Sequence, residues 1–518
     1  MTINLIHFFD KGVAIEPGRP CLVSDAGLRT YRETQVMSCR IANALADSGI
    51  GMGTHIAVLS HNATRAFECV LGVIRAGCVW VPVNFRNTVD ESAYVLDHTD
   101  TTVLFYAQAF AATVAQLLQR CPRIATAICI DAEGLPGQRS FDRWIANASD
   151  ELREFNVDGS AIATLACSGG TTGKPKGVVT THQTWAYRIA ETVLRSATER
   201  PVHLIAAPMT HAAGGAALEM MTMGATHVVL QTVDPAAIVA AIGKHRVTHF
   251  FLPPTAIYRL LAYPGVRQGD YSSLRYFTYA AAPMSLDRLK EAIEVFGPVM
   301  AQGYGSTELG TSTCWFPPEE HSKALAANDD ERLASCGRPS PLARLEIADD
   351  AGNILPAGEQ GEIVVRSYSN ASAYYKNPEE TAKAFGGGWF RTGDIGYKNA
   401  AGWVYICDRK KDMIISGGLN IYPSEIEKTL MAHASVQECA VVGVPHEDWG
   451  EAVKAVIELK PGQSATAAEL EALCRATLAG YKIPKSFEFW AEIPRSPVGK
   501  VLKREVRARY WQARGKQI

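Results

Sequence analysis

One glycine-rich segment carries the strongest chemical signal in this sequence. Residues 168–177 read Ser-Gly-Gly-Thr-Thr-Gly-Lys-Pro-Lys-Gly. The glycines allow the backbone to approach a ligand and to turn its N–H groups toward it, while hydroxyl and ammonium groups add donors and positive charge. The segment therefore predicts a loop that holds a polyphosphate. The alternative interpretation is a solvated surface loop.

The loop differs from a Walker A phosphate-binding loop. Pro175 follows Lys174 at the position where a Walker loop has the serine or threonine that binds magnesium. A proline there also prevents the helix that a Walker loop opens. A phosphate site built on this segment must therefore belong to another class.

Further segments could complete a nucleotide site. Tyr304 offers a flat ring for a purine and Glu308 offers an oxygen ligand for magnesium, both within residues 302–308. Asp394, in a Thr-Gly-Asp turn, could accept hydrogen bonds from ribose hydroxyls, and Lys500 lies at the tip of a proline-framed loop. Each has an ordinary alternative: a core ring, a solvated carboxylate, a structural turn and a solvated lysine.

The elements that must position these residues change in type along the chain. Residues 55–107 read as alternating strands and helices, with one helix at 91–98. The alternation recurs over 202–302, with a strand at 202–207 and helices at 235–245 and 286–296, which predicts parallel, doubly wound sheets. After about residue 335, short runs separated by turn signals predict an antiparallel subdomain. The charged stretch 408–412 could be a hinge, and a small α+β domain is expected beyond it.

Composition limits the classes of function. The chain has 518 residues, which predicts two to four domains, and its formal net charge of -2 gives no electrostatic reason to bind nucleic acid or an anionic membrane. Its 12 cysteines form no Cys-x-x-Cys pair and no zinc-type cluster, which favours buried thiols in a reducing cytoplasm.

No integral membrane segment is expected. The N-terminus lacks the basic and apolar pattern of a signal peptide, and the C-terminus matches no retention or peroxisomal address. Residues 202–243 contain no lysine or arginine, but polar residues and glycines interrupt the apolar stretch. A buried α/β interior explains this region better than a membrane helix does.

Together, the order and spacing of these motifs resemble the adenylate-forming superfamily, which includes acyl-CoA synthetases, peptide-synthetase adenylation domains and firefly-type luciferases. The resemblance covers roughly residues 5–510. It implies an α/β fold with a large N-terminal adenylation domain over residues 1–408, made of two doubly wound sheets and a β-barrel-like part over about 335–408. A hinge over 409–412 and a small, mobile α+β lid domain over 413–518 would follow.

The resemblance also assigns roles to residues in the nucleotide site. It implies that ATP is bound by Ser168, Gly169, Gly170, Thr171, Thr172, Gly173, Lys174, Lys176, Ala281, Ala282, Pro283, Gly303, Tyr304, Gly305, Thr307, Asp394, Arg409 and Lys500. The loop would hold the β- and γ-phosphates, Tyr304 the adenine, and Thr307 the α-phosphate. Asp394 and Arg409 would bind the ribose, and Glu308 would bind Mg²⁺. One departure is Ser168-Gly169, where many relatives have Thr-Ser, so that one hydroxyl is missing.

Other roles concern the acid, the thiol and the movement of the lid. Catalytic roles are implied for Lys500, which would bridge the carboxylate and the α-phosphate, and for His211, Glu308 and Thr172. Lys411 matches the hinge position, and Gly417 and Gly418 match the tunnel for the pantetheine of coenzyme A. The implied acyl pocket comprises His211, Ala212, Ala213, Gly214 and Gly305.

The implied reaction has two halves. A carboxylate reacts with ATP and Mg²⁺ to give an acyl adenylate and pyrophosphate, and coenzyme A then displaces AMP. The small residues around His211 favour a bulky acyl or aryl group, and the absence of a basic residue from 202–243 disfavours a second carboxylate. The expected partners are therefore small molecules, and a homodimer is compatible with the sequence.

Three rival interpretations stay open. A stand-alone adenylation enzyme that loads a carrier protein is one, although residues 204–233 contain no aspartate to pair with an amino-acid substrate. A luciferase-type oxygenase is the second. The third is a non-catalytic nucleotide-binding protein, which should have lost Lys500 or Glu308, yet both are present.

Overall fold

The computed structural model describes residues 3–168, 175–496 and 501–511. The described chain divides into two compact units. The first comprises residues 3–168, 175–344 and 366–390, and the second comprises 345–365, 391–496 and 501–511. The predicted domain boundary at residue 408 stays a prediction, because the second unit combines residues on both sides of it.

Helices occur in both units. In the first unit they are α1 (Leu5–Ile15), α2 (Tyr31–Asp47), α3 (Thr64–Arg75), α4 (Val89–His98), α5 (Ala111–Arg120), α6 (Phe141–Ile145), α7 (His182–Ser196), α8 (Ala212–Met220), α9 (Pro235–His245), α10 (Pro254–Leu261), α11 (Leu286–Phe296), α12 (Pro318–Ala326), α13 (Asp330–Leu333) and α14 (Pro378–Ala384). In the second unit they are α15 (Pro423–Met431), α16 (Ala467–Thr477) and α17 (Lys503–Trp511).

Short strands alternate with these helices. In chain order they are β1 (Pro20–Ser24), β2 (Gly27–Thr30), β3 (His55–Leu59), β4 (Val79–Pro82), β5 (Val103–Tyr106), β6 (Thr126–Cys129), β7 (Arg139–Ser140), β8 (Ile162–Cys167), β9 (Gly177–Thr181), β10 (Val202–Ile205), β11 (Thr226–Val229), β12 (His249–Leu252), β13 (Tyr276–Ala280), β14 (Met300–Ser306), β15 (Gly310–Phe316), β16 (Arg338–Pro339), β17 (Ala343–Ala348), β18 (Gly361–Ser367), β19 (Ala373–Tyr374), β20 (Phe390–Lys398), β21 (Val404–Arg409), β22 (Ile414–Ser416), β23 (Leu419–Ile421), β24 (Val436–His446), β25 (Gly450–Leu459) and β26 (Ser486–Phe489).

Two large sheets form the first unit. The nine-stranded sheet has the order β16-β15-β14-β13-β12-β10-β11-β1-β2, and the eight-stranded sheet has the order β19-β9-β8-β4-β3-β5-β6-β7. The strands from β14 to β1 in the first sheet, and from β8 to β7 in the second, are parallel to their neighbours, whereas the outer strands are antiparallel. This confirms the predicted α/β class, and it places ligand-binding loops at the carboxyl ends of the parallel strands.

The second unit has two smaller sheets. A four-stranded sheet with the order β17-β18-β20-β21 forms the part predicted to be barrel-like, and a five-stranded sheet combines β22 to β26. The latter packs with α15 and α16 around buried residues such as Ile426, Val441 and Leu470. The predicted small α+β region is therefore confirmed.

Local sequence explains where several helices begin. Asp234 caps α9, whose first residue is Pro235, and Ser285 caps α11, which ends before Gly297 at φ 87°. Thr88 and Glu91 form a capping box, so α4 begins at Val89, two residues before the predicted start. These caps satisfy backbone N–H groups that the first helical turn leaves unpaired.

The sequence predicts no membrane segment and reduced cysteines, and the structure bears on both. No helix within the described ranges is both long and apolar enough to cross a membrane. None of the 12 cysteines, which all lie within the described residues, is part of a disulfide, and all except Cys167 and Cys407 are buried.

Candidate active site

The two ends of the glycine-rich segment are held together. Cys167 pairs with Gly177 across the antiparallel strands β8 and β9, and the Ser168 N–H donates to the Lys176 carbonyl at 2.9 Å. The Tyr94 hydroxyl donates to the Pro175 carbonyl at 3.1 Å. The predicted phosphate-binding residues Gly169, Gly170, Thr171, Thr172, Gly173 and Lys174 lie outside the described residues.

Lys176 lies between a carboxylate and an aromatic ring. Its Nζ is 2.5 Å from Glu380 Oε2 and 4.8 Å from the centroid of the Tyr374 ring. Tyr374 belongs to the edge strand β19, which pairs with β9 next to the loop. Sequence reasoning assigned Lys176 to phosphate binding but gave no role to Tyr374 or Glu380.

Glu308, the predicted magnesium ligand, is fixed from two sides. Its Oε1 accepts a hydrogen bond from the Tyr374 hydroxyl at 3.1 Å, and its backbone carbonyl accepts one from the Ala371 N–H at 2.6 Å. Burial, followed by the charge of Glu308, raises the pKa of the Tyr374 phenol well above its ordinary value, so the phenol stays a donor at neutral pH.

The chemistry of Glu308 suits a magnesium ion bound jointly with phosphates. Mg²⁺ in nucleotide sites commonly takes one or two carboxylates together with phosphate oxygens. Among the described residues, no group of three or more histidine, cysteine, aspartate or glutamate side chains could hold a metal ion by itself. A single fixed carboxylate therefore fits a metal that arrives with the nucleotide.

The predicted adenine wall is assembled at the ends of two neighbouring strands. Ala280, the last residue of β13, pairs with Gly303 of β14. Ala281 (φ 73°), Ala282 and Pro283 follow β13, while Tyr304 and Gly305 continue β14. The Tyr304 side chain is buried, and Thr307 and Glu308 follow directly. The structure thus brings these predicted residues to one sheet edge.

A buried arginine supports the turn that carries Thr307 and Glu308. Arg188 of α7 donates to the Thr307 carbonyl at 3.2 Å and to the Ser369 carbonyl at 3.0 Å. Burial lowers the pKa of Arg188 to about 10, while the carboxylates of Glu219, Glu191 and Glu308 oppose this shift. Arg188 therefore stays charged at neutral pH.

The same helix face carries a second buried charge. Glu191 accepts hydrogen bonds from the Ser340 and Ser369 hydroxyls at 2.7 and 2.8 Å. The Arg188 guanidinium and the Glu191 carboxylate thus both reach the segment around Ser369. Sequence reasoning missed both residues. Their i, i+3 spacing, which places two opposite charges on one face of the helix after the loop, could have indicated them.

His211 begins the small-residue segment predicted to line the acyl pocket. It precedes α8, is exposed, and its Nδ1 lies 3.0 Å from the Thr210 hydroxyl. Ala212 is partly exposed, whereas Ala213 and Gly214 are buried. A Cβ atom at Gly214 would lie 1.7 Å from the Met209 carbonyl oxygen, so only glycine fits there.

Asn62 connects the two large sheets near this segment. Its side-chain amide donates to the carbonyls of Ala206, Ala207 and Leu230, and its Oδ1 accepts from the Met209 N–H at 2.9 Å. Asn62 follows β3 of one sheet, while its partners follow β10 and β11 of the other. This buried amide therefore fixes the chain that leads into His211.

In the second unit, the two predicted ribose ligands meet. Asp394 and Arg409 pair across β20 and β21, and Arg409 Nε lies 2.7 Å from Asp394 Oδ1. Glu362 accepts hydrogen bonds from the Gly393 N–H at 3.1 Å and from Arg391 at 2.9 Å, which fixes the turn. Glu362 is a positioning residue that sequence reasoning missed.

The predicted hinge and tunnel residues lie close together in the chain. Burial lowers the pKa of Lys411, the predicted hinge residue, to about 8. Gly417 and Gly418 form the two-residue turn between β22 and β23, with φ values of 57° and 80°. Positive φ at both positions is typical of a tight hairpin and favours glycine.

Lys500 lies outside the described residues, but its flanks are described. Arg495 and Val501 form an isolated antiparallel bridge, and the Leu502 N–H donates to the Pro494 carbonyl at 2.8 Å. Helix α17 follows, and Lys503 forms an ion pair with the partly buried Glu427 at 2.8 Å. The contact assigned to Lys500 stays a prediction.

Comparison with known families now decides the class of the protein. The family model described as AMP-binding enzyme matches residues 9–375, and the model for the AMP-binding enzyme C-terminal domain matches residues 425–500. The chain belongs to this adenylate-forming family of AMP-binding enzymes. Its members include acyl-CoA synthetases, and the resemblance inferred from the sequence motifs is confirmed.

Individual members of the AMP-binding family align over nearly the whole chain. A protein from Amycolatopsis sp named feruloyl-CoA synthase is 36% identical over 93% of this chain and 94% of its own length. A fatty acid–[acyl-carrier-protein] ligase from Streptomyces coeruleorubidus is 32% identical over 96% of this chain and 94% of its own length. The solved structure of an amide bond synthetase from Marinactinospora thermotolerans has a TM-score of 0.88 at 31% identity, covering 98% of this chain and 100% of that chain.

These relatives in the AMP-binding family confirm the predicted enzyme class, an AMP-forming acid–thiol ligase. They also confirm the predicted fold at the level of a large α/β N-terminal region and a small C-terminal region. The residue roles given above stay predictions.

Proposed function

We propose that the enzyme activates a bulky apolar carboxylic acid, either an aryl acid or a medium- or long-chain fatty acid, as its acyl adenylate, and transfers the acyl group to the thiol of coenzyme A. The observation that carries this proposal is the cluster of Lys176, Tyr374 and Glu308 beside the glycine-rich segment. It combines a cation suited to phosphate with a fixed carboxylate suited to magnesium.

In the first half-reaction, a carboxylate oxygen attacks the α-phosphorus of ATP, and the bond to pyrophosphate breaks. Catalysis consists mainly of aligning two anions and neutralising the charge on the phosphates. Lys176 and the loop donors would bind the phosphates, Glu308 would hold magnesium, and Lys500 would bridge the two reactants. Magnesium supplies charge neutralisation at the phosphate oxygens.

The remaining nucleotide contacts are those that the family motifs imply. Tyr304 would pack against the adenine, and the Asp394 carboxylate would accept hydrogen bonds from the ribose hydroxyls. In the second half-reaction, the thiol attacks the acyl carbonyl carbon, the thiol proton is lost, and AMP leaves. Gly417 and Gly418 would line the path of the pantetheine.

The chemistry of the acyl segment supports a bulky apolar acid. Residues 212–217 are all alanine or glycine, and small linings leave room for a large group. No lysine or arginine lies in 202–243 to neutralise a second carboxylate, and Glu219, the acidic side chain within α8, is already 3.6 Å from Arg195. The relative named feruloyl-CoA synthase agrees with an aryl acid.

A panel of acids tests the proposal. ATP-dependent AMP release is measured with cinnamic-type acids, fatty acids of increasing length, acetate and a dicarboxylate, each with and without coenzyme A. We expect rapid release only with bulky apolar acids, and thioester formation only when coenzyme A is present. Preference for acetate or the dicarboxylate would contradict the proposed acid class.

A second candidate acceptor is the thiol of a carrier protein. The relative named fatty acid–[acyl-carrier-protein] ligase, which covers 96% of this chain, supports it. Competition between coenzyme A and a carrier protein bearing phosphopantetheine, with the unmodified carrier as control, separates the two. We expect the acyl group on coenzyme A, and preferential loading of the carrier would favour the alternative.

The proposal also covers the localisation and the oligomeric state of the enzyme. We propose a cytoplasmic enzyme because its substrates ATP and coenzyme A are cytoplasmic metabolites and its described cysteines form no disulfides. The homodimer also stays a prediction, and light scattering after size-exclusion chromatography measures it directly.

A further inference from the structure

Tyr374 contacts two groups that the proposed reaction uses separately. Its hydroxyl donates to Glu308 Oε1 at 3.1 Å, and its ring lies 4.8 Å from the Lys176 ammonium. Glu308 follows β14 of the nine-stranded sheet, whereas Lys176 precedes β9 of the eight-stranded sheet. One buried side chain therefore joins a carboxylate and a cation that come from different sheets.

The position of Tyr374 is itself well determined. The residue is 8% exposed and lies in β19, where it pairs with Val178. Its backbone N–H donates to the Thr381 hydroxyl at 3.0 Å, and its ring packs edge-on against Phe385 at 5.8 Å. These contacts hold the ring and the hydroxyl in one orientation.

Lys176 also has a competing partner. Glu380 lies 2.5 Å from its Nζ, and both side chains are 35% exposed. An arriving phosphate must displace this carboxylate, and a partly exposed ion pair is weak enough to exchange. The Tyr374 ring, which attracts a cation through its electron-rich face, keeps the ammonium near the loop while the exchange occurs.

We propose that Tyr374 is a positioning residue that holds Glu308 and Lys176 as one unit, so that binding of magnesium and binding of the ATP phosphates reinforce each other. This inference rests on the proposed function. It adds a residue outside the nucleotide-binding motifs and assigns separate tasks to the hydroxyl and the ring.

A binding experiment separates these tasks without relying on turnover. The affinity for α,β-methylene-ATP is measured by calorimetry with and without Mg²⁺ in the full-length enzyme and in Tyr374→Phe. The variant keeps the ring but loses the hydrogen bond to Glu308. We expect its affinity without Mg²⁺ to stay within about twofold, and the gain in affinity caused by Mg²⁺ to fall by about tenfold, because a hydrogen bond to a charged group is lost.

The neighbouring residue provides a matched control. Tyr375 also donates its hydroxyl to a carboxylate, Asp100 Oδ2 at 2.8 Å, but this carboxylate is not part of the proposed site. Tyr375→Phe should therefore leave the effect of Mg²⁺ unchanged. Tyr374→Leu, which also removes the ring, should in addition weaken binding without Mg²⁺.

The outcomes distinguish this inference from the proposed function. If Tyr374→Phe keeps the full effect of Mg²⁺ while its thermal unfolding matches that of Tyr375→Phe, the inference is wrong. If both phenylalanine variants lose the effect equally, the role of Tyr374 is merely structural and the inference is also wrong. If the unsubstituted enzyme binds no nucleotide, both the proposed function and the inference are wrong. If it binds nucleotide but turns over no acid, only the proposed function is wrong.

Discussion

At the scale of a single residue, a sequence motif identifies the Glu308 side chain but does not determine its orientation. The sequence identifies this carboxylate as a magnesium ligand by resemblance, but its orientation depends on the Tyr374 hydroxyl, while the Ala371 N–H fixes the backbone carbonyl of the same residue. Both partners lie more than sixty residues beyond Glu308 in the chain, and Tyr374 is 66 residues away. Pairings at that separation follow from the fold and cannot be derived from local spacing.

We expect Glu308→Gln to abolish most adenylate formation while it preserves the fold. The amide oxygen can still accept the hydrogen bond from Tyr374, but the negative charge for magnesium is lost. Losing one such group typically costs about 10²–10³ in rate. Pyrophosphate exchange measures the rate and thermal unfolding measures stability. A rate within threefold of the unsubstituted enzyme would show that Glu308 does not hold the metal.

At the scale of elements, helix α7 links the glycine-rich segment to the turn after β14. It follows β9 directly, and its buried residue Arg188 binds the Thr307 and Ser369 carbonyls. A buried charge is stable only when its hydrogen-bonding partners are all supplied, so the helix and the two segments must fold together.

Substitution of Arg188 should affect both stability and rate. Arg188→Met removes a buried cation near Glu191 and Glu219 and leaves the Thr307 and Ser369 carbonyls without their donor. Removal of one partner from such a group typically costs about 3–5 kcal/mol of the free energy of unfolding. Arg188→Lys keeps the charge but loses the planar pair of donors, so we expect a folded protein with adenylation slowed about tenfold. Chemical denaturation and pyrophosphate exchange measure the two effects.

Arg195→Lys is the matched control for the Arg188 experiment. Arg195 lies on the same helix and contacts Glu219 at 3.6 Å. The control should lower stability modestly and leave the adenylation rate nearly unchanged. Equal slowing in both lysine variants would mean that general loosening of the helix, and not support of Thr307, explains the loss.

The elements themselves were largely predictable from the sequence. The predicted helices at 235–245 and 286–296 agree with α9 and α11, because Asp234 and Ser285 give clear capping signals. The predicted strand at 202–207 instead ends at Ile205, since the Ala206 and Ala207 carbonyls accept hydrogen bonds from the Asn62 side chain. That difference arises from a tertiary contact, which periodicity does not report.

Some residues of the candidate site can likewise be predicted from the sequence, and others can be recognised only from tertiary contacts. Residues within recognisable motifs, such as Tyr304 and Asp394, could be named in advance. Arg188, Glu362 and Tyr374 could not, because each acts by holding a motif residue from another part of the chain. Only their partners, seen in three dimensions, distinguish them from ordinary polar residues.

At the scale of the whole molecule, the two half-reactions need different groups around one adenylate. We expect Lys500→Ala to prevent adenylate formation yet largely spare thiolysis of preformed acyl-AMP. Gly418→Leu should do the reverse, because a side chain would enter the thiol path and because φ 80° disfavours any residue other than glycine. Pyrophosphate exchange and thioester formation are measured separately, and equal loss of both steps in both variants would refute the proposed alternation.

Three buried histidines give the first unit a sensitivity to acid. His203, His227 and His249 lie side by side on β10, β11 and β12. Burial lowers the pKa of His227 to about 3 and that of His249 to about 4, and it lowers the pKa of His203 well below its ordinary value. Arg19 adds a small effect of the same sign at His227.

The stability contributed by these histidines should be complete above about pH 6.5 and lost as the pH falls toward about 4. In that window the unfolded chain binds protons that the folded protein does not, at about 1.4 kcal/mol per pH unit for each histidine. His227→Gln should make the fall shallower, whereas His433→Gln, in the second unit, should not. Denaturant titrations from pH 7.5 to 4.5 test this, and parallel curves for all three proteins would contradict it.

The burial of the cysteines has a consequence for an enzyme that makes an acylating agent. An acyl adenylate transfers its acyl group to any reactive thiolate within reach, and only the thiolate form is strongly nucleophilic. Cys167 directly precedes the glycine-rich segment, yet even partial burial raises its pKa to about 12, and partial burial likewise raises the pKa of Cys407 to about 11. At neutral pH these two thiols therefore stay mainly protonated, and the activated group is left for a thiol that arrives from outside.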